Sequence, residues 1–269
     1  MTLGDPRGPT PLPSRRAGPP RTRLRRPPGD RFRAMTGPTA HALVPVLAAW
    51  DETTTFRGLR IALPPSLAAA HVLPGQVVKI RTDAGEGFFA LASAPDPAGP
   101  ADLLVKRGGH VADAVIARAV PGERLELTPP FGKGFPVHEA EGKDVLLFAA
   151  GSAIAPVRAL VQHLVRARER FGRVTLFYGQ RHGGEFAYLG EHLAWERRGV
   201  RVILCPSGAD DAWQGLRGRV QEVARSLAFG GGPPTDAVAF ASGMTAMVED
   251  VRRTLARAGI PPERVHANF

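Results

Sequence analysis

The chain has 269 residues, 43% of them hydrophobic, which is enough for one large or two ordinary domains with real cores. Its one cysteine, Cys205, excludes a disulfide framework and a cysteine-ligated iron–sulfur cluster. The net charge of +10 is concentrated in residues 1–34, whose nine Arg and two Asp leave only +3 for everything after them. No run of about 18 to 20 apolar residues is present to span a bilayer, so a soluble, cytoplasmic protein without a membrane partner is expected.

Residues 1–40 open the chain as an Arg/Pro-rich tail, with eight Pro before residue 35 and almost no apolar pattern. Such a segment cannot bury enough surface to offset ordering, and disorder is expected. It lacks the apolar core of a secretory signal. Three readings stand: upstream sequence translated from too early a start, with Met35 the true start; a solvated tail without a role; or an arm for nucleic acid or an acidic partner. No nucleic-acid function is assigned to it.

Residues 41–136 read as short strands with Pro and Gly between them: "ALVPVLAAW", "TFRGLRIAL", "PGQVVKIRT", "EGFFALAS", "ADLLVKRG" and "GERLELTPP". This spacing predicts a small antiparallel β-barrel or sandwich, interrupted by one helix at 110–120 directly after Gly108 and Gly109. "PVHEAEGK" (136–143) is the expected linker. From 137 to 269 the pattern alternates. "DVLLFAA", "RVTLFYG", "VRVILCP" and "DAVAFAS" predict strands, with helices at about 156–170, 185–198, 217–228 and 244–258, and "PERVHANF" a last edge strand. Alternation of this kind calls for an α/β domain with a parallel sheet.

In open α/β sheets ligands bind beyond the carboxyl ends of the strands. The first such end is Gly151-Ser152-Ala153-Ile154-Ala155-Pro156. Gly151 can take positive φ, the small residues let a phosphate approach the backbone, and Pro156 suits a first helical position. Val157, Leu160, Val161, Leu164 and Val165 then form an apolar stripe. A helix N-terminus there would face an anion, although the segment is neither G-x-G-x-x-G nor a P-loop. An ordinary tight strand–helix turn explains the same letters. Eight histidines are scattered without metal-ligand spacing, so no metal is expected. Cys205, inside an apolar run, reads as a small buried hydrophobe.

The whole order changes the weight of that turn. A barrel, then G-x-x-I-x-P, then "FYGQR", then "WQGLRGRV", then "SGMTAMVEDVRRTL" resembles the ferredoxin–NADP reductase-like flavin oxidoreductases over about residues 41–269. The resemblance implies a flavin (FAD, sometimes FMN) on the barrel domain (41–136) and NAD(P)H on the α/β domain (137–269). Hydride would pass from nicotinamide to flavin, and electrons on to an external acceptor, protein or small molecule. It implies nicotinamide-nucleotide contacts at Gly151, Ser152, Ala153, Ile154 and Pro156, and adenosine-side contacts at Tyr178, Gly179 and Arg181. It places Gly243 and Met244 beside the nicotinamide, with Ser242 standing where the family has a catalytic-site Cys.

The family's barrel motif R-x-Y-S falls on Gly87, Phe89 and Ala90, so both the Arg and the Ser are missing. Loss of one charge-assisted bond costs roughly 1.5–3 kcal/mol, or about 10- to 150-fold in affinity. The flavin contacts implied are Phe89, Ala90, Leu91, Ala92 and Ser93. Lys106, Arg107 and the backbone of Gly109, His110 and Val111 could replace the lost charge. "FFALASAP" and the terminal Asn-Phe look most like a plant and bacterial subgroup that includes a plastid-targeted fruit protein and also lacks the Arg. Phe269 could stack on the flavin or seal the sheet edge. Pro206-Ser207-Gly208 after "VILC" leans towards NADH, though Arg181 or Arg201 could serve NADP. The alternative is a non-catalytic or regulatory module of the same fold that has lost productive flavin chemistry.

Overall fold

In the computed structural model, residues 37–208, 212–232 and 234–268 are described. The expectations for residues 1–36 and for Phe269 lie outside the described residues. Among the described residues no helix is long and apolar enough to cross a membrane, and no group of three or more His, Cys, Asp or Glu could hold a metal ion.

The first six strands are β1 (Ala42–Asp51), β2 (Phe56–Ile61), β3 (Val77–Thr82), β4 (Gly85–Ala90), β5 (Ala101–Lys106) and β6 (Arg124–Leu127). They form one antiparallel sheet in the order β4-β3-β6-β1-β2-β5. Its two edges meet. Leu91 bridges Leu103, and the Ala92 N–H donates to the Asp102 carbonyl at 2.7 Å, closing the sheet into a barrel. Alternate positions turn inward: Val44 and Val46 of β1, Leu59 and Ile61 of β2, Val78 and Ile80 of β3, and Leu125 and Leu127 of β6 are buried in one core. A single turn of helix, α1 (Pro65–Ala68), which the strand pattern hid, also feeds Leu67 into it. The expected helix is α2 (His110–Ala117), lying over β3, β4 and β5.

The second sheet is parallel, with β7 (Asp144–Ala150), β8 (Val174–Gln180), β9 (Val200–Pro206), β10 (Ala237–Ser242) and β11 (Val265–Ala267) in the order β11-β10-β7-β8-β9. The helices are α3 (Ile154–Arg166), α4 (Leu189–Arg197), α5 (Val220–Ser226), the kinked turn α6 (Ala228–Gly231) and α7 (Thr245–Arg257). Val145, Leu147 and Ala149 of β7 face α3 and α4, whereas Leu146 and Phe148 face α5 and α7. Both faces are covered, as a continuous apolar run requires. Helix α4 starts later than its letters suggest, because Tyr188 takes φ +63° and ends the preceding loop.

Within residues 136–143, expected as a linker, Val137–Ala140 form a 3-10 turn with Val137 and Ala140 buried. They belong to a core shared by the two sheets, in which Phe56, Ala92, Leu104 and Phe135 of the barrel side pack with α3, Tyr188 and Phe240. Polar bonds also cross the junction. Ala94 N–H donates to Gln162 Oε1 at 3.0 Å, Tyr188 N–H to Glu52 Oε1 at 2.5 Å, and Asn268 Nδ2 to the Gly75 carbonyl at 3.2 Å.

Candidate functional site

The order of the parallel sheet reverses between β7 and β10, so the chain leaves their carboxyl ends towards opposite faces, to α3 and α7, and a crevice opens between. Chain leaving β7 makes a 3-10 turn at Gly151–Ala153 before α3 begins at Ile154. Gly151 holds φ +62°, a conformation that excludes most side chains. Pro156 is the third residue of α3 rather than the first. Its missing N–H is still one of the four that a helix start leaves unpaired, so the position tolerates it.

The barrel closes over this crevice. A cleft of about 250 Å³ is lined by Ser152, Ala153, Ala155 and Pro156 from the α3 turn and by Ser242 and Gly243 from the end of β10. Phe88, Phe89 and Ala90 of β4, Leu104 and Lys106 of β5, and Ala112 of α2 line its barrel side. Residues expected at both cofactors therefore converge on one space. Ser242, 1% exposed, lines the cleft, and its buried Oγ has no hydrogen-bond partner. Lys106 is exposed at the rim. Arg107 is spent on an ion pair with Asp51.

Helix α2 starts with Gly109 in extended conformation, followed by exposed His110 and half-buried Val111. The Gly108 N–H is already taken by Asp113 Oδ1 at 2.9 Å. Phe89 lies over Gly87: a Cβ there would sit 3.1 Å from its Cε2 and 3.1 Å from Val111 Cγ1.

Several expected contact residues face elsewhere. Leu91 and Ala92 are fully buried, Leu91 in the barrel core and Ala92 in the shared core. Ser93 Oγ accepts the Asp102 N–H at 3.0 Å. These three brace the barrel closure, because the strand turns inward after Ala90. Tyr178 is fully buried too; its hydroxyl accepts from Gln180 Nε2 at 2.7 Å and from the Ala187 N–H at 3.3 Å, and burial pushes its pKa up. Gly179 admits α5: an added Cβ would lie 2.8 Å from Val220 Cγ1. Arg181 is exposed at the end of β8, its carbonyl accepting the Gly208 N–H. Met244 is 63% exposed, directly before α7. Met247 and Val251 pack α7 on the sheet. Cys205 is buried in an apolar core, which pushes its thiol up to about 12.

One residue went unread in the sequence. Arg158, on α3, is 6% exposed, and its guanidinium reaches Glu191 of α4, Asp102 of β5 and the Ala92 carbonyl. Burial opposes its charge, but the bonds to Glu191 and the nearby carboxylates outweigh that and raise its pKa. The signal was available: Ile154–Val161 is apolar apart from Arg158, and a charge inside such a run has to be paired.

Residues 147–253 match the family described as the oxidoreductase NAD-binding domain. The chain is 33% identical over 154 residues to sulfhydrogenase 1 subunit gamma of Pyrococcus furiosus, covering 55% of this chain and 52% of that protein. It is 27% identical over 173 residues to fruit protein pKIWI502 of Actinidia deliciosa, covering 59% and 54%. The chain thus spans about half the length of the curated relatives it matches. Its structure is similar to a ferredoxin NADP+ reductase from Neisseria gonorrhoeae with bound FAD and NADP, at a TM-score of 0.70 and 19% identity over 85% of this chain and 99% of that one. By fold, the chain is similar to ferredoxin reductase structures, and its residues 147–253 match the oxidoreductase NAD-binding domain family.

Proposed function

We propose that this protein is an NAD(P)H-dependent flavin oxidoreductase that passes electrons to an external acceptor. The observation that carries the reading is the single cleft in which the barrel wall at Phe88–Ala90, the α3 turn and Ser242 meet. The residues present fit the two groups. Phe88 and Phe89 offer aromatic surface to a flavin, and Lys106 with the backbone at 109–111 offers positive charge and N–H donors to its phosphates. The turn Gly151–Ala153 offers a phosphate-width approach to the nicotinamide nucleotide, with Gly243 and Met244 at the facing edge and Arg181 on its adenosine side. When both are bound, the cofactors supply the hydride and electron chemistry.

The chain's own part is orientation. Ala155 and Pro156 form an apolar floor that excludes water, and the Ser242 hydroxyl is free to donate to, or accept from, a polar edge placed above it. That sulfhydrogenase 1 subunit gamma is a subunit of a larger enzyme supports an acceptor outside this chain.

A second reading, a reductase-like module without productive flavin chemistry, draws on two observations: Gly87 carries no charge, and Asp113 already holds the Gly108 N–H. Titration of the apoprotein with FAD and FMN by fluorescence quenching separates the two. Saturable binding, followed by bleaching of the flavin absorbance with NADH or NADPH, is the expected result. Folded protein that binds neither flavin would leave the second reading standing.

A further inference from the structure

We propose that Arg158 is a positioning residue that sets the gap between the two walls of the cleft, and so the approach of the two cofactors. The inference rests on the proposed function for its catalytic consequence, but the geometry stands by itself. Arg158 lies two residues beyond Pro156 on the cleft floor. Its Nη1 donates to the Ala92 carbonyl at 2.7 Å, and Ala92 lies two residues beyond Ala90 of the barrel wall. The same nitrogen reaches Asp102 Oδ2 at 3.1 Å, and Asp102 lies two residues before Leu104 of the other wall strand. Both barrel contacts therefore fall at the Ala92–Asp102 pairing that closes the barrel.

The guanidinium cannot swing away. Its Nε and Nη2 bond Glu191 at 2.9 and 2.6 Å, and its Cζ sits 4.7 Å from the Tyr188 ring centroid. Asp102 is fixed in turn by Arg60 at 2.8 Å. With side-chain exposures of 7% for Arg158 and 5% for Asp102, the pair is shielded from solvent screening. A planar fork with several donors can hold three elements at fixed spacing, which an apolar contact, free to slide, cannot.

The test uses the full chain and two variants, Arg158→Met and the double variant Arg158→Met/Asp102→Asn. The double variant leaves no unpaired buried Asp102 charge if the single one folds poorly. With flavin bound, rapid mixing with NADH should show the limiting rate of flavin bleaching down at least tenfold. Flavin content and half-saturating NADH should stay within about twofold. In the protein without flavin, amide hydrogen exchange should quicken at least tenfold at Ala94 and Tyr188, which donate to Gln162 and Glu52 across the junction, but not at Val46 or Val145, which donate to the Glu123 and Arg173 carbonyls away from it. An unchanged limiting rate, or a loss matched by weaker NADH binding, overturns the proposal, as does unchanged exchange at Ala94 and Tyr188. Should the protein bind no flavin, the proposed function fails and the exchange measurement still decides whether Arg158 holds the two walls.

Discussion

Phe89 owes its place to the residue two before it. Gly87 has no side chain, so the Phe89 ring and Val111 close over its backbone, and any Cβ there must displace them by a few tenths of an ångström. Gly87→Arg would therefore not simply return a missing charge. Gly87→Ala, which crowds without adding charge, is expected to weaken FAD binding several-fold. Lys106→Ala should weaken it about tenfold, the lower end for a lost charge-assisted bond at an exposed rim. Fluorescence titration reads both, and an Ala variant at 87 that binds as tightly as wild type removes Phe89 as the stacking surface. On the other wall, Ala153→Leu should raise half-saturating NADH and NADPH at least tenfold while leaving flavin content alone, since only the α3 turn is obstructed. At this scale a motif tells which residues are near a site but not which way they face. Tyr178 shares its strand face with Leu176 and Val174, so its side chain is core although its neighbours in sequence are not.

Among the elements, the strands were legible because their signals are local: alternation in the barrel, short apolar runs in the parallel sheet. Helix starts were less so. The residue Tyr188 in left-handed conformation delays α4, and the 3-10 turn at 151–153 places Pro156 inside α3; neither follows from propensity. The linker at 136–143 is anchored because Val137 and Ala140 find apolar partners in the core shared by the two sheets, a tertiary fact. The contact of α5 on β8 is tight enough to test. Gly179→Ala should cost about 1–3 kcal/mol by overpacking against Val220, and Val220→Ala in that background should recover part of it. Denaturant melts of the two single variants and the double variant measure the coupling, and additive losses would deny the contact.

Over the whole molecule, two histidines are buried among the described residues, His71 before β3 and His192 in α4, both lowered to about 4 by burial. A histidine held neutral in the fold takes up its proton first in the unfolded chain. Stability is then full above about pH 6.5 and falls as pH drops towards 4, by up to about 1.4 kcal/mol per pH unit for each group. Denaturant midpoints at pH 7.5 and 5 should fall further for wild type than for His71→Gln/His192→Gln, and equal falls would exclude these two as the source. The bond from Asn268 to Gly75 has a different consequence. It joins positions 193 residues apart, and β11, which carries Asn268 into place, pairs only with β10. During synthesis the barrel, whose last strand ends at Leu127, can close long before residue 268 leaves the ribosome. This tether between the halves is therefore made last, and until then the barrel loop at Gly75 waits for a strand that does not yet exist.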